Sequence, residues 1–245
     1  MEYSKNISKT MQIFIANLGT ILIVYLILSA VELIAAFSLD LSSSLTATDP
    51  INILDKTDSI GTGTKFFTSL IQGVLVQFIL GTNQIAILKL LRGKEYSIDS
   101  IIEIAKENYR DLGLVSLLIT IITSLIALIP LLGGFLTLVA KLAFSFAFFL
   151  IYDYKADNPQ NYLKASANLT NGHKVKLFVL EIIYSALPII IGVVSLIAAL
   201  IAQNLALGAG MILVFILLLS LTSILLSISH SVYYDELMEE EPLTE

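Results

Sequence analysis

Cysteine and tryptophan are both absent from the 245 residues, and histidine occurs only twice. Without cysteine the chain has no disulfide frame, no thiolate metal site, no cysteine nucleophile and no lipidated cysteine. Two histidines, His173 and His230, cannot make a three-histidine zinc site, so no metal or other cofactor is expected. Charge is scarce too: 14% of residues are charged and 56% hydrophobic, and the mean hydropathy is +0.87. A soluble chain of this length could not clothe its surface with so few charges. The net charge of −6 gives no argument for nucleic acid. Much of it comes from one place, since Asp235, Glu236, Glu239, Glu240, Glu241 and Glu245 crowd the C-terminus. These features define an all-α polytopic membrane protein, a single integral-membrane domain over 1–245 with an acidic cytoplasmic tail at 235–245.

At ~20 apolar residues per crossing, the long runs predict six transmembrane helices over residues 11–39, 66–91, 112–129, 134–151, 175–201 and 205–232. Lys5 and Lys9 precede the first run, but its apolar core outlasts a signal-peptide core and no A-x-A site follows, so it reads as a retained anchor. Eleven of the fourteen basic residues fall on the side that holds both termini. The other side has only Lys56 and Lys65, and Lys141 lies inside a span. Basic residues in short loops stay cytoplasmic, so both termini are predicted to be cytoplasmic.

Two amphipathic cytoplasmic helices are expected between spans. In the first, Ile98, Ile101, Ile102, Ala105 and Tyr109 form one apolar stripe, and Ser100 with Glu103 suggests a capping box. In the second, Asn158 caps, Pro159 takes the first helical position, and Asn171-Gly172 supplies a left-handed stop. That helix sets Tyr162, Leu163, Ser166 and Leu169 on one side. A coarse parallel repeat follows: amphipathic helix, hairpin, then an aromatic and acidic exit. Tyr152-Asp153-Tyr154 ends one unit and Tyr233-Tyr234-Asp235 the next, while Ser4 to Thr10 with spans one and two forms a third copy.

Several of these stretches, in order, carry a resemblance. Leu88-Lys89-Leu90-Leu91-Arg92-Gly93-Lys94-Glu95 is followed by Ile129-Pro130, Lys141, Ala156-Asp157-Asn158-Pro159 and Asn171-Gly172-His173-Lys174, leading into Leu177-Phe178-Val179-Leu180. Over roughly residues 80 to 238 this resembles the bacterial integral-membrane family catalogued as domain of unknown function 975. The resemblance implies six helices and a bacterial plasma-membrane location, and it brings no catalytic role with it.

Ionisable groups inside a membrane are costly, which makes each a candidate for function. Glu32 and Lys141 lie at equal depth below the outer ends of helices one and four. As a functional pair they would hold a headgroup or relay a proton; as a structural pair they would be a salt bridge orienting two helices. Gln77 and Gln84 share one face of the second span and would line a cavity or bond to neighbouring helices. Near the inner face, Lys89, His173, Lys174, Glu181 and His230 form a candidate polar cluster for an anionic headgroup. No H-E-x-x-H, G-x-S-x-G, Walker loop or dinucleotide fingerprint is present, so an enzyme is the least supported reading. The leading expectation is an accessory, scaffold or immunity-like protein that binds another membrane protein or a lipid. A small transporter or lipid-handling carrier using Glu32 and Lys141 is the alternative. The two differ in whether those residues surround a hydrated cavity or a dry seam.

Overall fold

The computed structural model describes residues 3–31, 58–202 and 205–240; their regular structure is all helical, with no strand among the described residues. We number the helices α1 (Tyr3–Ala16), α2 (Leu18–Val31), α3 (Asp58–Leu91), α4 (Ile98–Glu107), α5 (Tyr109–Ala127), α6 (Gly133–Ala143), α7 (Ala147–Asp153), α8 (Pro159–Leu169), α9 (Lys174–Ala202) and α10 (Leu205–Glu240). A short helix precedes two of the long pairs, α4 before α5 and α6/α7 and α8 before α9 and α10, while α1 and α2, of equal described length, precede α3.

Four stretches are long and apolar enough to cross a membrane: Phe66–Leu91, Tyr109–Ala127, Gly133–Asp153 and Lys174–Val194; α1 and α2 make a fifth if taken as one crossing. At most 44% of the residues in any of these four are buried within the chain. Many of the others are exposed apolar side chains, among them Phe67, Ile71, Leu125, Phe135, Ile182 and Ile190, an arrangement stable only against lipid or another apolar surface. The chain is therefore a membrane-embedded helical protein. The sixth expected crossing lies on α10. That helix runs on to Glu240, so Asp235 and Glu236 are helical residues in contact with the bundle rather than the start of a free tail.

Two expected spans are not continuous helices. The first is bent by 84° between α1 and α2. At the bend, Asn17 turns its side-chain Nδ2 back to the Ile13 carbonyl at 3.0 Å, competing with the backbone ladder. Residues 11–16 thus belong to α1, whose buried face is Asn6, Thr10 and Phe14. Asn6 clamps α10, donating from Nδ2 to the Ser229 carbonyl at 3.1 Å and accepting from the Ser229 hydroxyl at 2.7 Å.

The fourth span breaks at residues 144–146, between α6 and α7. No glycine or proline marks the place. Instead α8 supplies the missing partners: the Phe146 N–H donates to Ser166 Oγ at 3.2 Å, and Ser166 Oγ donates to the Ala143 carbonyl at 2.8 Å. Thr170 reaches the same carbonyl at 3.4 Å. Non-helical backbone at membrane depth is tolerated when side chains satisfy it in this way. The predicted face of α8 is the one buried, with Tyr162, Leu163, Ser166 and Leu169 inside. Asn158 caps through Oδ1 to the Gln160 N–H at 3.0 Å, Pro159 opens the helix, and Gly172 takes φ 81° after it.

α4 departs from the expected register. Its capping box is Ser97 with Ser100, not Ser100 with Glu103. Ile101 and Ile104 are buried, whereas Ile102 and Tyr109 are exposed, because Asn108 interrupts the helix and re-aims the chain into α5.

The core gathers α3, α5, α7, α8 and α10 around Phe146, Phe149, Leu88, Leu112, Tyr162 and Tyr234. α3 approaches α7 most closely at Gly81, where a Cβ would overlap the Phe148 ring. Phe148 is only 3% exposed and cannot swing away. Gly81→Ala is therefore expected to destabilise by about 1–3 kcal/mol through overpacking, despite alanine's better helix propensity. At Gly19 a Cβ meets nothing within 4 Å, so Gly19→Ala should stabilise by up to ~1 kcal/mol. Thermal unfolding of both variants in the same detergent should move the two midpoints in opposite directions.

Candidate functional site

The charged residues of one end of the bundle converge on Arg92. α3 stops at Gly93, which takes φ 78°, with Gly93 N–H on the Leu90 carbonyl at 3.0 Å and Lys94 N–H on the Lys89 carbonyl at 2.9 Å. Only glycine adopts that conformation cheaply, and the stop fixes Arg92 at the helix end. There the guanidinium donates two parallel bonds to Asp153, Nη1 to Oδ1 at 2.6 Å and Nη2 to Oδ2 at 2.8 Å. Its Nε donates to Asp235 at 3.0 Å. Tyr234 completes the set, donating from Oη to Asp153 Oδ2 at 2.9 Å. One guanidinium thus ties together the ends of α3, α7 and α10, the exits of all three helix pairs.

The carboxylates hold the Arg92 proton well above the ordinary guanidinium range, the Asp153 hydrogen bond being the largest cause. Burial, with Asp153 next, pushes the Tyr234 phenol far up. Both groups therefore keep their neutral-pH forms, and the clasp stays charged on one side and donating on the other.

Tyr152, beside Asp153, is ringed by cations. Lys89 Nζ, Arg92 Cζ and Lys94 Nζ lie 5.4, 5.9 and 5.7 Å from its ring centroid. Lys94 Nζ also donates to its hydroxyl at 3.0 Å, which raises the Lys94 pKa. Each contact is a cation over or beside a π face. A groove of ≈ 670 Å³ lies alongside, between Lys89, Lys94 and the α4 residues Ser97, Asp99, Glu103 and Lys106. Its four acids, Glu95, Asp99, Glu103 and Glu107, exceed its three lysines by only one, so it does not concentrate one sign of charge.

The five residues expected to form an inner polar cluster do not meet. Lys89 joins Tyr152. His173 Nδ1 pairs with Tyr233 Oη at 2.8 Å, and burial lifts the Tyr233 phenol to about 12. His230 is buried on α10 with its Nε2 unpartnered among the described residues. Glu181 stands within the electrostatic reach of Lys141, and Lys174 forms no ion pair among the described residues. The expected partner of Lys141 at equal depth, Glu32, lies outside the described residues, and Lys141 is exposed on the flank where α6 meets α9. Among the described residues, no salt bridge closes the Lys141 and Glu181 gap.

A second polar feature lies deeper. Between α2, α3 and α10 a cavity of ≈ 230 Å³ is lined by Tyr25, Leu28, Ser29, Ile79, Leu80, Asn83, Ser220 and Ser223. Gln77 and Gln84 are not on this wall; Asn83 is. The sequence carried a signal for it in the polarity of the second span, but α3 turns the neighbouring face inward. Among the described residues, no group of three or more His, Asp or Glu could hold a metal ion.

Comparison of the chain with protein-family models, with curated proteins and with solved structures finds no match.

Proposed function

We propose that the chain is a non-enzymatic accessory or scaffold protein of the bacterial plasma membrane that acts by binding a second membrane-embedded protein on the α6/α9 flank. In this reading it crosses the membrane six times with both termini cytoplasmic, as a member of the family it resembles. One observation carries it: Lys141 is an exposed cation within a membrane-crossing stretch, facing outward rather than into the bundle. A lysine at such depth costs about 2.5–3.5 kcal/mol unless something neutralises or solvates it. Glu181 does so only at a distance, which leaves the lysine available to an acidic or polar group of a partner helix. Exposed Phe178, Ile182 and Ile189 on α9 supply an apolar surface beside it. Other buried polar groups close internal seams, such as Asn6 with Ser229 and Ser166 with Ala143. The carrier reading draws less support, because Lys141, Gln77 and Gln84 do not share the cavity between α2, α3 and α10.

The test is site-specific. A photo-crosslinking side chain at Ile182, activated in native membranes, should give one discrete protein adduct, reduced at least roughly tenfold by Lys141→Met. Native mass spectrometry in mild detergent should show the same partner with the unmodified chain. A chain that stays free of partner protein, or an adduct indifferent to Lys141→Met, would sink the proposal.

A further inference from the structure

The geometry points to a binding site for the neutral, oxygen-bearing head of a small amphiphile in the cavity between α2, α3 and α10, with Asn83 as its hydrogen-bond donor. Asn83 is 1% exposed. Its Oδ1 accepts from the Tyr96 hydroxyl at 2.7 Å, which fixes the amide plane. Its Nδ2 has no acceptor among the described residues, although Asn83 forms part of the cavity wall. An oxygen in the cavity would give that Nδ2 the acceptor that the described residues do not supply. A second oriented pair stands across the space, where Tyr25 Oη donates to Ser223 Oγ at 2.8 Å and so leaves the Ser223 hydroxyl proton to be donated onward. Ser29 adds a further hydroxyl, and Leu28, Ile79 and Leu80 supply apolar wall.

The lining selects the class of ligand. Among the described residues no charged side chain borders the cavity, and Asn83 lies about nine residues, or ~13 Å, along α3 from the Arg92 clasp. A carboxylate or phosphate there would be desolvated with no counter-ion, at a cost of several kcal/mol. A hydroxyl or ester carbonyl is matched by the donors present. The volume equals that of roughly seven to eight waters at ~30 Å³ each, which suits a glycerol-sized head with the beginning of a chain. That head can come from a neutral glycerolipid in the bilayer or from a water-borne polyol. The site is independent of the flank at Lys141, so neither reading stands or falls with the other.

Native mass spectrometry of the full chain in mild detergent tests it, with 1-monooleoylglycerol, oleate and glycerol as probes. The expected result is one saturable monooleoylglycerol adduct per chain, with oleate binding at least roughly tenfold more weakly. Asn83→Leu should weaken that adduct roughly tenfold, the worth of a buried hydrogen bond. Ser29→Leu, which fills the cavity and leaves the Tyr96 and Asn83 pair intact, should abolish it even if Asn83→Leu folds poorly. A glycerol adduct with the same two sensitivities supports the site and assigns it to a water-borne ligand. The inference is overturned if no neutral probe binds, if oleate binds as well as monooleoylglycerol, or if Ser29→Leu leaves binding unchanged.

Discussion

Ser166→Ala should destabilise the protein by about 2–3 kcal/mol, because its hydroxyl serves two backbone groups at once. The reason is the break in the fourth span. Ser166 is fully buried, accepts from the Phe146 N–H and donates to the Ala143 carbonyl. Alanine removes both partners at once, and each orphaned backbone group costs ~1–3 kcal/mol when water cannot replace it. Thr170 offsets part of the loss, because its hydroxyl already leans on the Ala143 carbonyl at 3.4 Å. The Phe146 N–H has no such reserve. Ser145→Ala is the matched control, since its hydroxyl returns to the Leu142 carbonyl on its own helix at 2.9 Å and leaves no donor stranded; its cost should stay under ~0.5 kcal/mol. Hydrogen exchange read at Phe146 in the folded protein should accelerate in Ser166→Ala and not in Ser145→Ala. Equal stabilities for the two variants would show that α8 does not hold the break.

Arg92→Met should cost about 2–3 kcal/mol and lower the thermal midpoint by roughly 4–10 °C. The guanidinium is 30% exposed and its carboxylate partners 15% and 20%, so water softens the loss below that of a fully buried pair. Two features keep it above a surface salt bridge: the Asp153 contact is bidentate, and removing Arg92 leaves two carboxylates beside each other at the ends of α7 and α10. Arg92→Lys should recover less than half of the loss, because an ammonium cannot present parallel donors to Asp153 and a third to Asp235. Adding Asp153→Asn and Asp235→Asn to Arg92→Met should recover stability by relieving the repulsion. Full recovery with lysine alone would mean that charge, and not fork geometry, holds the three exits.

The parts that sequence made legible were those with a local cause. Asn158, Pro159 and Gly172 act on their own or adjacent backbone, and each is found doing so. Apolar runs placed the crossings at Phe66–Leu91 and Lys174–Val194 because lipid contact needs only length and composition. The breaks were not legible. Asn17 is one polar residue in an apolar run, and residues 144–146 hold no helix breaker; the partner that stabilises their open backbone lies on α8, twenty residues on from Phe146. Register within α4 failed for a related reason, since burial by α3 and α5 chose Ile104 over Ile102. The site divides in the same way. The repeated Tyr and Asp exits were visible as a pattern, but their meaning depended on Arg92, which sits 61 residues from Asp153 and 143 from Asp235. The neighbourhood of Lys141 and Glu181 was not legible, because sequence depth alone does not say that α6 and α9 are adjacent.

The long reach from Arg92 to Asp235 also sets a clock on biosynthesis. A ribosome adding about 5–20 residues per second needs roughly 7–30 s to cover the intervening 143 residues. Throughout that interval the nascent chain presents an incompletely matched guanidinium at the membrane surface, first alone and then with Asp153. Only the emergence of the last helix closes the ring, so a chain truncated between Asp153 and Asp235 would keep the paired bonds to Asp153 but leave the Arg92 Nε without its carboxylate, a mark by which quality-control proteases could tell unfinished copies from finished ones.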